Sequence, residues 1–192
     1  MLDLQQVNKS WTLFLDRDGV INHEKKESYI LNWGEFKFYD GVKEAMEILN
    51  QQFGIIVMVT NQKGVGKQLM SLDDLSNIHY NMLAEIEMAK GRVDKVYHCS
   101  DLENESPNRK PNHGMALQAK ADFDHIDFSK SIMVGNKLSD MGFGRNAGMP
   151  TVFLATTNPE TEFPHPSIDL RFNTLLDFAK AFPINRLGLT KA

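Results

Sequence analysis

The fold is decided by residues 13–20, Leu-Phe-Leu-Asp-Arg-Asp-Gly-Val. Three apolar residues after Thr12 favour a strand inside a parallel sheet, because such strands are buried on both faces. The strand ends abruptly in Asp16 and Asp18, two positions apart, and Gly19 allows the backbone to turn. Ligands of open α/β sheets bind at the carboxyl edge of the strands. The stretch therefore predicts two carboxylates at a binding edge.

These two carboxylates repel each other unless a positive group lies near both. Oxygen ligands at this spacing suit a hard cation such as Mg²⁺, which indicates a metal-assisted reaction. The alternative is an ordinary polar turn, because Asp and Gly are common turn residues. The stretch alone leaves both interpretations open.

A second apolar run, residues 55–59, ends in Thr60, Asn61 and Gln62, and residues 63–67 are Lys-Gly-Val-Gly-Lys. These glycines allow the backbone to approach a ligand closely, and the lysines add positive charge for a phosphorylated substrate. A Walker-type P-loop is excluded because the pattern Gly-x4-Gly-Lys-Ser/Thr is absent. An ordinary glycine-rich turn remains the alternative.

Two further segments carry charged groups. Residues 109–115, Arg-Lys-Pro-Asn-His-Gly-Met, open a helical pattern, and the Lys110 ammonium there would offset carboxylate repulsion, although surface Arg-Lys pairs are usually solvated. A third apolar run, residues 131–134, leads to Asn136 and Asp140. Lys137 between them is either a substrate contact or a solvated helix start.

In this order the four segments resemble the motifs of the haloacid dehalogenase-like phosphatases. Residues 60–62 and 109–111 resemble in particular the histidinol-phosphatase and D-glycero-D-manno-heptose 1,7-bisphosphate phosphatase group, and the resemblance runs from about residue 12 to residue 148. It implies that Asp16 is the nucleophile of an aspartyl-phosphate mechanism and that Asp18 is the general acid and base. It also implies that Thr60 binds phosphate and that Lys110 contacts both the nucleophile and the phosphate.

The same resemblance implies further site residues and a Mg²⁺ cofactor. Asn136 departs from the family, whose members use an acid there as a metal ligand; a neutral amide should weaken cation binding. The implied phosphate-binding residues are Arg17, Asn61, Gln62, Arg109 and Lys137, and the implied metal-binding residues are Asp16, Asp18, Asn136 and Asp140.

The resemblance favours a sugar phosphate substrate, with heptose 1,7-bisphosphate ahead of histidinol phosphate. A catalytically weakened phosphate-binding or regulatory protein is the alternative, because Asn136 replaces a metal-ligand Asp. The resembled group commonly carries a zinc loop of several Cys and one His before residue 109, where this chain has only His98 and Cys99. We therefore expect no structural zinc.

The composition is that of a cytoplasmic enzyme of one domain, residues 1–192, with 42% hydrophobic residues and a single cysteine. No signal peptide or membrane-spanning stretch is predicted. A formal net charge of −4 gives no general attraction for nucleic acid, so the expected partner is a small phosphorylated substrate, and no pattern indicates an oligomeric state.

Strand and helix patterns alternate, which predicts a doubly wound parallel sheet in a Rossmann-like three-layer sandwich without a large cap domain. Specificity then falls to the loops 23–33, 63–70 and 100–108, and Phe36 and Phe38 are expected to pack their loop onto the body. The predicted strands are residues 12–15, 55–60, 95–98, 131–134, 151–154 and 169–172, and the predicted helices are residues 42–51, 72–89, 114–121, 138–147 and 174–181.

Overall fold

A sheet of six parallel strands lies at the centre of the computed structural model, which describes residues 2–183. Along the sheet the strands follow the order β3-β2-β1-β4-β5-β6. This order confirms the predicted doubly wound α/β architecture. The strands are β1 (Thr12–Leu15), β2 (Ile55–Asn61), β3 (Lys95–Cys99), β4 (Ser131–Gly135), β5 (Thr151–Leu154) and β6 (Leu170–Phe172).

Helices cover both faces of the sheet. Side chains of β1 alternate between two hydrophobic clusters: Leu13 and Leu15 pack with residues of α1, α3 and α6, whereas Phe14 packs with residues of α4 and α5. This alternation gives the three predicted layers. The helices are α1 (Val42–Gln52), α2 (Lys63–Gly66), α3 (Leu72–Met88), α4 (Gly114–Asp122), α5 (Leu138–Ala147) and α6 (Leu175–Lys180).

The predicted boundaries of the strands and α-helices differ from the observed ones by at most one residue, and one short α-helix was not predicted. The glycine-rich segment 63–67, for which no helix was predicted, contains the one-turn helix α2, closed by a hydrogen bond from the Lys67 N–H to the Lys63 carbonyl (2.9 Å). A single turn is too short to show helical periodicity. Phe36 is buried in the hydrophobic cluster of β1 and α1, and Phe38 packs against this cluster, so the expected packing of their loop onto the body is confirmed.

A binding crevice arises where β1 and β4 lie side by side. Leu15 at the end of β1 pairs with Val134 of β4, although the two strands are far apart in sequence. The helix that follows β1 packs on one face of the sheet and the helix that follows β4 packs on the other. The chain therefore diverges at this edge and leaves a crevice. Between residues 2 and 183, no helix is long and apolar enough to cross a membrane.

Candidate active site

A cavity of about 620 Å³ opens at this carboxyl edge. Residues that follow β1, β2 and β4 form its floor, and residues 24–30 together with Asn104 and Arg109 form its walls. The three loops in which specificity was expected, 23–33, 63–70 and 100–108, all contribute, the second through Lys63. Cationic and anionic side chains line the cavity together, which suits a charged and polar ligand better than an apolar one.

Lys110 joins two carboxylates at the floor of the cavity. Its Nζ lies 2.8 Å from Asp16 Oδ1 and 2.7 Å from Asp140 Oδ1, and all three side chains are almost fully buried. Burial raises the pKa of the Asp16 carboxyl to about 7, against the opposing charge of Lys110. A single ammonium therefore serves two buried carboxylates, which leaves this cluster with unbalanced negative charge.

Asp18 is held by side chains from three parts of the chain. It accepts hydrogen bonds from Arg17 Nη2 (3.0 Å), Asn22 Nδ2 (2.9 Å) and Gln62 Nε2 (2.9 Å). Burial raises the pKa of Asp18, but the Arg17 charge and these hydrogen bonds outweigh burial and hold the pKa below its ordinary value. The carboxyl is therefore ionised at neutral pH in this arrangement.

Asn136 is fully buried at the end of β4. Its Nδ2 donates to Thr157 Oγ1 (2.5 Å), while Oδ1 has no hydrogen-bond partner among the described residues. The segment after β5 also holds the Asn136 carbonyl, which accepts from Asn158 Nδ2 (2.9 Å). A Cβ on Gly19, where φ is +87°, would lie 2.0 Å from Asn136 Nδ2, so only glycine allows this approach.

Asp140 reaches the floor from the first turn of α5. Its Oδ2 accepts from the N–H groups of Asn136 (3.1 Å) and Lys137 (3.0 Å), which fixes the carboxylate at the start of the helix. Asp140 packs so closely on Gly135 that a Cβ there would lie 2.2 Å from the Asp140 Cβ. This contact explains the glycine at the end of β4.

The predicted phosphate-binding residues are placed differently from one another. Thr60, Asn61, Arg109 and Lys137 line the cavity. Both ends of the Asn61 amide, however, bond the Lys110 backbone at 3.1 Å, so Asn61 holds the segment that carries the lysine. Lys137 Nζ pairs with Glu24 (2.6 Å) across the cavity wall, so it is not simply a solvated helix start.

Arg17 and Gln62 contact other side chains of the site, and their role in binding phosphate stays a prediction. Arg17 is 1% exposed, is absent from the cavity wall and directs its guanidinium to Asp18, Gln62 and His79. The Gln62 amide borders the cavity but donates to Thr60 Oγ1 as well as to Asp18 (both 2.9 Å). Both side chains therefore hold other site residues, because the carboxylate charge of Asp18 attracts their donor groups.

Sequence analysis missed three residues that contact the site. Thr157 and Asn158 lie in the proline-containing segment after β5, and nothing in its composition indicates a contact with Asn136. His79 lies within the predicted helix 72–89. Its position directly after the buried Ile78, and three before the buried Met82, is the one signal that its side chain lies at the edge of the core.

The donor set at the floor fits a hard cation. No group of three or more His, Cys, Asp and Glu side chains in the described chain is arranged to hold a metal ion. The candidate ligands are instead two carboxylates, Asp16 and Asp140, with the unpartnered amide oxygen of Asn136, and the resemblance implies Asp18 as a further ligand. Oxygen donors of this kind suit Mg²⁺, and the orphaned buried acceptor is the observation in favour.

His98 and Cys99, which were expected to be too few ligands for a structural zinc site, lie away from this floor. Cys99 is buried, and its Sγ lies 4.0 Å from Ser106 Oγ, which in turn donates to Asp101. His98 is exposed, and its ring faces that of His79 at 6.2 Å. The absence of a structural zinc stays a prediction, and stoichiometric zinc in the purified protein would contradict it.

Comparison with known proteins agrees with this geometry. The family model described as polynucleotide kinase 3 phosphatase matches residues 12–178. A D-glycero-alpha-D-manno-heptose-1,7-bisphosphate 7-phosphatase of Campylobacter jejuni is 39% identical over 146 residues, which are 76% of this chain and 83% of that protein. The enzyme of the same name from Mycobacterium tuberculosis is 31% identical over 178 residues, 92% of this chain and 94% of that one.

A solved structure has the same fold. The D,D-heptose 1,7-bisphosphate phosphatase from B. bronchiseptica, in complex with magnesium and phosphate, superposes with a TM-score of 0.80 over 88% of this chain and 96% of that one, at 24% identity. Family model, relatives and fold agree with the four motifs that meet at the cavity floor. The chain belongs to the polynucleotide kinase 3 phosphatase family and is a phosphatase of the haloacid dehalogenase type.

Proposed function

We propose that this protein is a magnesium-dependent phosphatase that hydrolyses a small sugar phosphate, a heptose 1,7-bisphosphate, through an aspartyl-phosphate on Asp16. The observation that carries the proposal is the buried group of Asp16, Lys110 and Asp140 at the floor of a polar cavity. A nucleophilic carboxylate needs positive charge beside it to approach a phosphate dianion, and the Lys110 ammonium supplies part of that charge.

In the first step an Asp16 carboxylate oxygen attacks phosphorus, and the bond from phosphorus to the sugar oxygen breaks. Asp18 gives its proton to the leaving alkoxide. In the second step water attacks the aspartyl-phosphate, Asp18 takes a proton from that water, and Asp16 is regenerated as phosphate leaves. The ionised state of Asp18 favours its role as the base, and the acid role requires that it acquire a proton earlier in the cycle.

Asp16, Asp140, the Asn136 amide oxygen and the Asp18 carbonyl would hold the cation. Bound there, Mg²⁺ supplies positive charge that offsets repulsion between the nucleophile and the phosphoryl oxygens. The structurally similar enzyme from B. bronchiseptica contains magnesium and phosphate, which supports the assignment of the metal. Thr60 and Arg109, which line the cavity, are proposed to hold the phosphoryl group through donated hydrogen bonds.

The substrate class rests on the relatives. Several of them are heptose 1,7-bisphosphate 7-phosphatases, some named for the alpha anomer and others for the beta anomer. A cavity of about 620 Å³ lined by both cationic and polar groups accommodates a phosphorylated sugar. Histidinol phosphate is the second candidate. We also propose that one domain carries this activity and that it acts in the cytoplasm.

A catalytically weakened phosphate-binding protein remains the alternative from another class. The observation in its favour is that a neutral amide, Asn136, stands where the resembled family has an acidic ligand. Against it stand the intact nucleophile, acid, lysine and threonine of the other motifs. Binding of phosphate without turnover would distinguish this function from the proposed one.

The test is phosphate release from a substrate panel with magnesium varied. The panel contains both anomers of D-glycero-D-manno-heptose 1,7-bisphosphate, histidinol phosphate, other sugar phosphates and a 3′-phosphorylated oligonucleotide. Asp16→Asn is compared with Asp124→Asn, a matched control at a fully exposed carboxylate. We expect release that needs both magnesium and Asp16 and is highest with a heptose bisphosphate. Phosphate binding without release from any substrate would contradict the proposal.

A further inference from the structure

The Arg17 guanidinium is the largest polar side chain buried in the described chain, at 1% exposed. One side of it faces Asp18, with Nη2 3.0 Å from both carboxylate oxygens. The same Nη2 lies 3.3 Å from Gln62 Oε1. A guanidinium offers only donors in a rigid plane, so fixing its far edge also fixes the edge that faces the carboxylate.

The far edge is fixed by His79 of α3, whose Nε2 lies 3.1 Å from Arg17 Nη1. Burial, with the charge of Arg17, lowers the pKa of His79 to about 3, so the imidazole is neutral at neutral pH. Because Arg17 cannot accept a hydrogen bond, Nε2 must be the acceptor, and the ring proton lies on Nδ1. The contact joins the middle of α3 to the loop after β1, across 62 residues of sequence.

We propose that His79 is a positioning residue for the phosphatase reaction: it anchors Arg17, and Arg17 in turn fixes the orientation of the Asp18 carboxylate. This inference rests on the proposed role of Asp18 as general acid and base. Proton transfer depends on the placement of the carboxylate toward the leaving oxygen, and a shift of an ångström reduces its efficiency. Without the imidazole, Nη1 loses its acceptor, and the guanidinium plane and Asp18 are free to turn.

Leaving-group dependence separates this role from simple support of the fold. A sugar alkoxide departs poorly without a proton, whereas p-nitrophenolate departs with little help. The ratio kcat/KM includes only the steps up to departure of the leaving group, so it reports the acid step without the later hydrolysis of the aspartyl-phosphate. A misplaced Asp18 must therefore reduce kcat/KM for a sugar phosphate much more than for p-nitrophenyl phosphate.

The experiment measures both kcat/KM values for the wild type, His79→Ala, His79→Gln and the control His98→Ala. His98 carries the neighbouring exposed imidazole, whose ring centroid lies 6.2 Å from that of His79. We expect His79→Ala to reduce kcat/KM by about 10- to 100-fold for the sugar phosphate and by less than about threefold for p-nitrophenyl phosphate. The larger loss is part of the rate acceleration that a well-placed general acid contributes. His79→Gln, whose amide oxygen accepts a hydrogen bond, should recover most of the loss, and His98→Ala should match the wild type.

Thermal unfolding of each variant shows that the loss is measured on folded protein. Equal losses on the two substrates would overturn the inference, and so would an undiminished His79→Ala enzyme or a folded His79→Gln enzyme no better than His79→Ala. A wild-type protein without activity on either substrate would instead refute the proposed function, and the inference would fall with it.

Discussion

Replacing Asn136 by Asp should strengthen magnesium binding and lower the stability of the metal-free protein. Three carboxylates at the floor, Asp16, Asp18 and Asp140, form ion pairs with the two buried cations Lys110 and Arg17. With all three carboxylates ionised the floor carries one net negative charge, and the substitution adds a second at a fully buried position. Without a cation this charge is repelled by its neighbours, whereas with a cation it becomes a further ligand.

The expected magnitudes follow from the burial of this position. An uncompensated buried charge costs several kcal/mol, part of which protonation relieves, so the free energy of unfolding in EDTA should fall by about 2–4 kcal/mol. The Thr157 hydroxyl, which accepts from Asn136 Nδ2, can turn to donate to the new carboxylate and so limits the loss. Magnesium affinity should rise about 10- to 100-fold, equivalent to about 1.4–2.8 kcal/mol.

Three measurements check this prediction: urea unfolding in EDTA and in magnesium, calorimetric titration with MgCl₂, and phosphate release at limiting magnesium. Asn77→Asp is the matched control, because it adds the same charge at an exposed position of α3 and keeps the acceptor for Asn81 Nδ2 (3.0 Å). Saturating magnesium should restore the stability of the Asn136→Asp protein by mass action. If both variants resemble the wild type in EDTA and in magnesium affinity, Asn136 does not lie in the surroundings of the cation.

Two further predictions concern ion pairs on and off the floor. Lys110→Met leaves Asp16 and Asp140 without their shared ammonium, so unfolding in EDTA should be easier by about 3–5 kcal/mol, with partial recovery in magnesium; no recovery would place the cation elsewhere. Asp169 pairs with Arg145 (2.9 Å) and, although burial raises its pKa, this pair and the Thr151 N–H hold the pKa below 3.8. Asp169→Asn should therefore lower the free energy of unfolding by about 1 kcal/mol above pH 4 without changing activity. This difference from the wild type should vanish as pH falls through the lowered pKa, and a difference that persists at pH 2 in acid-dependent unfolding would contradict this cause.

The sheet could be predicted from sequence because its strands are continuous apolar runs. Residues such as Leu13, Phe14 and Leu15 are buried whichever face they point to, so their pattern does not depend on the neighbouring strands. The helix boundaries were similarly accessible from local sequence, since Ser71 and Asp74, three residues apart, form a capping box at the start of α3. The one-turn helix α2 was not, because four residues carry no period.

The candidate site likewise has features that local sequence predicts and features that it does not. The sequence by itself determined that Asp16 and Thr60 lie at the carboxyl ends of strands and that Asp140 lies at the start of the helix after a third strand, and parallel strands bring those ends to one edge. Only the tertiary structure decided which partner each side chain has: that Lys110 joins two carboxylates, that Asn136 bonds Thr157, and that Arg17 is buried against His79 rather than open to the cavity. The physical reason is that strand and helix formation depend on neighbouring residues and on a repeating pattern of burial. The direction of a buried polar side chain depends instead on which donors, acceptors and charges the packing of distant segments brings within hydrogen-bond distance.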